Sequence, residues 1–516
     1  MSLVKSSITI GFFTLISRIC GFVRDILIAN AIGASWLSDA FFVAFKLPNF
    51  FRRLFAEGAF NSAFVPLFAG TLSDNGREAA LLFAREVLSV LLFILLLLNA
   101  IFIIGMPWIL PFFAPGFIDD PEKFDLTVVL SRITFAYILF ISLVSLLSGI
   151  LNSLQRFAAV AATPILLNIC LIGALLLAEL ADTPAHALAF GVLLAGVVQL
   201  VWLIIMCMRA DALPGLALPK LTSHVRELLK LIAPAALGAG VAQINLLVDV
   251  VLASNFDEGV SYLYYADRLN ELPIGIIAVA VGTALLPMLS RQIREGNHNA
   301  ARHSLNRALE LVLLFSLPAA TALVLIPEPL ISVLFQHGEF TAQDTLATYT
   351  ALIAYGCGLP AFVLVKVFAP GFFANRDTKT PFYIATFCVL VNLVLNLILM
   401  QYYAHVGLAM ATSIAGWCNA VLMGLILYRR GHFRPDPALR KRLWRMAASS
   451  AFMGLIIWNM HHYLVVQFEG TLSERILALC LLVGSGMFSY GACALCLGAV
   501  DRTQLRSYFR KNKSVS

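Results

Sequence analysis

From Val87 to Met106 no residue carries a charge. As a helix rising about 1.5 Å per residue, such a run spans about the 30 Å of a bilayer's hydrocarbon core. It is far longer than the strand of a membrane barrel, so it selects a helix. The run is not isolated. Of the 516 residues 60% are hydrophobic and 13% charged, against about 25% charged in soluble domains. The chain therefore reads as all-α, a polytopic membrane protein.

Polar, Pro and Gly breaks divide the apolar runs into fourteen expected spans: 6–31, 36–70, 80–112, 126–150, 158–180, 185–208, 227–254, 261–290, 304–326, 345–373, 381–403, 405–428, 443–467 and 474–499. An even number places both termini on one side. That side collects 26 of the 36 Lys and Arg residues, whereas the other has Lys123, Arg132 and Arg475. By the positive-inside rule both termini are expected in the cytoplasm. The net charge of +7 then follows largely from topology. A nucleic-acid partner is not expected, although the tail from Arg502 to Lys513 is basic.

The chain also repeats. A shift of 222 residues lays Arg85 on Arg307, Phe93 on Phe315, Pro107 on Pro329, Phe113 on Phe335, Gly116 on Gly338 and Gly149 on Gly371. Six spans separate the copies, so the repeats are parallel. The expected organisation is an N-lobe at 1–220, a C-lobe at 221–435, and a two-helix extension with its basic tail at 436–516. Paired repeats of this kind belong to transporters, whose substrates sit near the midplane.

The stretch from Ser17 to Glu57 violates the apolar pattern. It holds Arg18, Arg24, Asp25, Asp39, Lys46, Arg52, Arg53 and Glu57. Each charge facing lipid at mid-bilayer would cost roughly 2.5–3.5 kcal/mol. These groups must face one another or water within the protein. Asp39, Lys46, Arg53 and Glu57 step by seven, seven and four, which aligns them on one helix face. Pro48 falls inside that stripe and is expected to disturb its register. The alternative for Arg52, Arg53 and Glu57 is a helix end at the headgroups.

The second lobe adds Asp249, Asp267, Arg268, Glu271 and Lys366. Arg268 and Glu271, at i and i+3, can pair. Arg dominates the cations, and its planar fork suits phosphate or carboxylate. The expected site is a hydrated cavity for an anionic headgroup, best a diphosphate. Neither a phosphate-binding loop nor zinc-ligand spacing is present. An intramembrane hydrolase or glycosyltransferase using these carboxylates is the rival of a different class. His461-His462 is expected in an outer loop.

SRICGFVRD (17–25), SDAFFVAFKLPNFFRRLFAEGAFNSAFVPLF (38–68), YADRLNELPIG (265–275), VLFQHGEF (333–340) and ANRDTKTP (374–381) together resemble the MurJ (MviN) lipid II flippases of the multidrug/oligosaccharidyl-lipid/polysaccharide exporter superfamily. The likeness covers essentially the whole chain. It implies fourteen helices in two six-helix lobes plus two. It implies a transporter, not an enzyme, that carries undecaprenyl-diphosphate-linked peptidoglycan precursor from the cytoplasmic to the periplasmic leaflet by alternating access.

The matching cations are Arg18, Arg24, Arg52, Arg53 and Arg268, with Asp25, Asp39, Glu57 and Glu271 as acidic partners. Asp249 and Asp377 would contribute to a sodium site; proton coupling and the membrane potential are the other drives to consider. The last two helices would guide the polyprenyl tail. The implied partners are lipid II, membrane lipids and the cell-wall machinery, in a bacterial inner membrane. The alternatives are a flippase for another polyprenyl-linked oligosaccharide and a cation-coupled drug exporter of the same fold.

Overall fold

The computed structural model describes residues 3–53, 60–282 and 285–499. Among them all regular structure is helical. This follows from the solvent: in hydrocarbon every backbone N–H must find its acceptor within its own segment or a closed barrel. The helices are α1 (Leu3–Ile32), α2 (Trp36–Phe51), α3 (Asn61–Phe113), α4 (Pro121–Phe135), α5 (Tyr137–Ser153), α6 (Phe157–Ala161), α7 (Thr163–Leu176), α8 (Pro184–Met208) and α9 (Ser223–Ala253). They continue as α10 (Gly259–Gly282), α11 (Leu285–Arg294), α12 (His298–Leu325), α13 (Pro327–Phe335), α14 (Ala342–Ala374), α15 (Lys379–Arg429), α16 (Pro437–Phe468) and α17 (Leu472–Leu497).

Each expected span falls on helix, apart from end residues, those outside the described ranges, and single-residue breaks at Ala136 within 126–150 and Ala162 within 158–180. Among the described residues eight helical stretches are long and apolar enough to cross a membrane. Two expectations at the joints are corrected. The linker expected at 71–79 is helix, broken only at Gly76 with φ 81° and ψ −178°. His461 and His462 lie within α16, not in a loop. The expected break between 403 and 405 is present, at Ala404 with φ 48° and ψ −131°.

The chain divides into two compact units, 1–261 with 337–341, and 262–336 with 342–516. These limits differ from the sequence lobes, because α9 packs on α3 and α2 and so joins the first unit. Within that unit α2 packs on α4, α3 and α8 pack on α5, and α7 packs on α8 and α1. Phe41, Phe64, Phe68, Phe117, Phe135 and Tyr137 fill its core. Within the second unit α14 packs on α12 and α15, and α16 packs on α12 and α17. Ile326, Met453, Ile457 and Leu482 join the two-helix extension to α12 and α13.

The repeat reappears in helix-end contacts. Arg77 donates to the Ala210 carbonyl just past α8, and Arg302 Nε donates to the Gly431 carbonyl just past α15, at 2.6 Å. In each case an arginine satisfies a carbonyl that a helix end leaves unpaired.

Candidate functional site

On α1, Arg24 and Asp25 are buried at 7% and 2% exposure. Arg24 Nε and Nη2 donate to Asp25 Oδ1 at 3.0 and 2.7 Å. Its Nη1 donates to Asn168 Oδ1 of α7 at 2.9 Å, and Asn168 Nδ2 donates to the Ser17 carbonyl at 2.9 Å. The amide packs over Gly21, where a Cβ would stand in ordinary contact, 3.5 Å from Asn168 Nδ2. A guanidinium so buried is tolerable because a carboxylate balances it and hydrogen bonds replace its water. An anion reaching Arg24 would compete with Asp25 for the same donors.

Ser35 caps α2, and the Ser35 N–H in turn donates to Ser38 Oγ at 2.8 Å, forming a capping box. The cap puts Asp39 in the first turn, where a carboxylate suits the helix dipole. Asp39 is fully buried. Lys123 Nζ of α4 lies 2.8 Å from Asp39 Oδ2, and the Ser261 N–H and Oγ–H donate to Oδ1 at 2.8 and 2.6 Å. Lys123 also stands 4.2 Å above the Phe117 ring. Thr134 Oγ1 donates to the Ala44 carbonyl at 2.7 Å and fixes α4 along α2.

The α2 stripe is thus divided. Asp39 is buried under α4, while Lys46 and Arg53 are exposed. Arg52 is half-buried, with Nε on Asn49 Oδ1 at 3.1 Å. Past Pro48 the helix widens to a π turn at 52–53, the local disturbance expected of an interior proline. Glu57 lies outside the described residues. Arg18 is exposed on α1, and Lys366 is exposed on α14.

On α10, Arg268 Nη1 lies 3.1 Å from Glu271 Oε2, the pair expected from i, i+3 spacing. Arg268 also stacks 4.6 Å over the Tyr264 ring, a cation–π contact. The two carboxylates expected at a cation site are placed differently. Asp249 is half-buried on α9. Asp377 pairs with Arg430 and accepts the Thr380 N–H at 2.9 Å. A cation at Asp377 would have to displace that guanidinium. Among the described residues no group of three His, Cys, Asp or Glu converges as metal ligands do.

Three participants were not singled out by sequence. Asn168 carried a signal, as a lone amide in the apolar run Ile165–Leu177. Lys123 carried none, because the run from Asp119 to Asp125 reads as an ordinary charged loop. Ser261 is one serine among many.

Ion pairs buried among apolar helices long enough to cross a bilayer are what a polytopic membrane transporter requires. The fold of a MATE family transporter of the MOP superfamily in an inward-facing conformation matches with a TM-score of 0.67 at 16% identity, over 84% of this chain and 99% of that one.

A family model described as "Lipid II flippase MurJ" matches residues 28–477, and the chain belongs to that family. It is 43% identical to the "Probable lipid II flippase MurJ" of Rhizobium meliloti (strain 1021), over 100% of this chain and 98% of the relative. It is 35% identical to the "Lipid II flippase MurJ" of Burkholderia cenocepacia, over 91% and 92%. A solved "Lipid II flippase MurJ, inward closed conformation" superposes with a TM-score of 0.80 at 29% identity, over 94% of this chain and 98% of that one. The chain is therefore a multi-pass membrane protein.

Proposed function

We propose that this transporter moves lipid II from the cytoplasmic to the periplasmic leaflet of a bacterial inner membrane, with both termini in the cytoplasm. It alternately exposes a cationic site to the two sides and makes or breaks no covalent bond. The family membership over nearly the whole chain supports the substrate. The observation that carries the site is the Arg24 fork, held in one orientation by Asp25 and Asn168. Such a fork is suited to exchange a carboxylate for a phosphate of the headgroup. Arg18 on α1, Lys46 on α2, and Arg52 and Arg53 in the π turn that follows it are the further cations of the first unit that would share the diphosphate and sugar-peptide charges.

An inside-negative potential contributes about 2.3 kcal/mol per unit charge per 100 mV, with the sign that drives an anionic head outward. A coupling sodium ion or proton taken at Asp377 would have to displace the Arg430 guanidinium. The experiment is depletion of the protein in growing cells, followed by assay of the lipid-linked intermediates. Lipid II should accumulate on the cytoplasmic side. Accumulation of a different polyprenyl-linked glycan, with lipid II turnover unchanged, would overturn the substrate.

A further inference from the structure

Helix α8 shows a stripe of exposed apolar side chains: Phe190, Leu194, Val197, Val201, Ile205 and Met208. The steps of three and four make it one helix face, and in a multi-pass protein that face meets acyl chains. The stripe does not stop where the helix does. From Ala212 to Thr222 the backbone is non-helical, as Pro214 and Pro219 require. This strap still presents Leu213, Leu216, Leu218 and Leu221 at 40%, 69%, 80% and 58% exposure.

The strap is tied down. The Ala217 N–H donates to Ser89 Oγ at 3.1 Å, Thr222 Oγ1 donates to Glu86 Oε2 at 2.7 Å, and Ala212 and Pro214 are buried. Its leucines are thus presented outward by a fixed backbone. Exposed Arg209, Lys220, Arg226 and Lys230 flank them, against the exposed acids Asp211 and Glu227. The shorter linker that follows α15, residues 431–436, has no leucine.

We propose that residues 209–222 form an in-plane membrane anchor, whose leucines enter the headgroup–acyl boundary and whose cations hold anionic lipid headgroups. The inference rests on the membrane-transporter reading above and adds a lipid-binding surface to it. Apolar side chains bordered by Lys and Arg at a helix end are what an interfacial segment requires. The occupant is a bilayer because the apolar stripe of α8, which ends at Met208, resumes at Leu213 just beyond the exposed Arg209 and Asp211. The occupant is anionic because the flanking charge is net positive, and each cation near such a surface gains on the order of fivefold in binding.

The test places a diazirine amino acid at Leu218 in the full chain, reconstituted in nanodiscs of phosphatidylcholine alone or of an equimolar mixture with phosphatidylglycerol. Light should attach lipid at position 218, several-fold more in the anionic discs. Arg209→Gln with Lys220→Gln should remove that difference. A control diazirine at Leu194 should attach lipid equally in both discs. Adducts at 218 to protein or only to water, with Leu194 still attaching lipid, would overturn the anchor. Equal lipid yields at 218 in both discs would overturn its anionic preference. Failure at Leu194 as well would overturn the membrane placement on which the inference rests.

Discussion

A Cβ placed on Gly338 would stand 2.2 Å from the Asn30 carbonyl oxygen, and the next N–H, that of Glu339, donates to the same oxygen at 3.1 Å. Gly116, its counterpart 222 residues earlier, makes the same approach to the Ser254 carbonyl, also at 2.2 Å. Both contacts lie inside the first compact unit. Each repeat therefore closes a helix end of the other through a glycine.

Gly338→Ala tests how much this approach matters. Gly338 has φ +58° and Gly296 has φ +72°, but nothing lies within 4 Å of a Cβ at Gly296. Both alanines bear a positive-φ backbone penalty, and only Gly338→Ala adds a clash. It should lose roughly 1–3 kcal/mol more than Gly296→Ala, read as a larger fall in Tm in detergent. Equal falls would show that the backbone yields there without cost.

Lys123 and Asp39 form a buried pair at 2.8 Å, with side chains 8% and 0% exposed. Removing one member leaves an unbalanced buried charge. Lys123→Met alone should cost about 3–5 kcal/mol. Combined with Asp39→Asn, the loss should fall well short of the sum of the single losses, because the double variant leaves no unbalanced buried charge. A double-mutant cycle on thermal unfolding measures this coupling, and additive losses would refute the pairing.

What the sequence revealed was local. Apolar runs located the helices because bilayer thickness dictates their length, and Arg268–Glu271 was readable because three residues separate the partners. Asp39 was singled out, but its partner lies 84 residues away, and the partner of Arg24 at Asn168 lies 144 away. Helical spacing cannot reach so far. It also placed Asp39, Lys46 and Arg53 on one face without showing that α4 covers only the first. Gly76 misled in the opposite direction: a polar stretch that reads as a linker stays helical on both sides of one glycine.

Asp377 gives a pH dependence. Partial burial pushes its carboxyl up, but hydrogen bonds from Thr380 and the Arg430 guanidinium outweigh this and hold it at about 2, below the ordinary 3.8. A depressed folded value means its contribution to stability is fully present above the ordinary value and is lost as pH falls through about 2. Asp377→Asn should be less stable than the parent at neutral pH. The difference should narrow as pH drops from 4 toward 2, when unfolding is followed in detergent across that window. A difference independent of pH would mean that Arg430 does not respond to the carboxylate's charge.

The Arg24 node separates stability from transport. Asn168→Leu removes the acceptor of Arg24 Nη1 and the donor to Ser17, so it should cost about 1–3 kcal/mol and lower the amount of protein in the membrane. Asn168→Asp also loses the donor to Ser17, but it keeps an acceptor beside Arg24 and adds a negative charge that holds the guanidinium. If Arg24 takes the diphosphate, the phosphate must then displace two carboxylates instead of one, and lipid II translocation per molecule of protein in the membrane should fall. Arg24→Lys should also transport poorly, since an ammonium cannot offer two parallel N–H donors. Membrane abundance and a lipid II flipping assay, measured on the same cells, distinguish these effects. Wild-type flipping by Asn168→Asp would show that Arg24 stays with its protein partners throughout the cycle, and the headgroup would then have to be bound by the exposed cations Arg18, Lys46 and Arg53 instead.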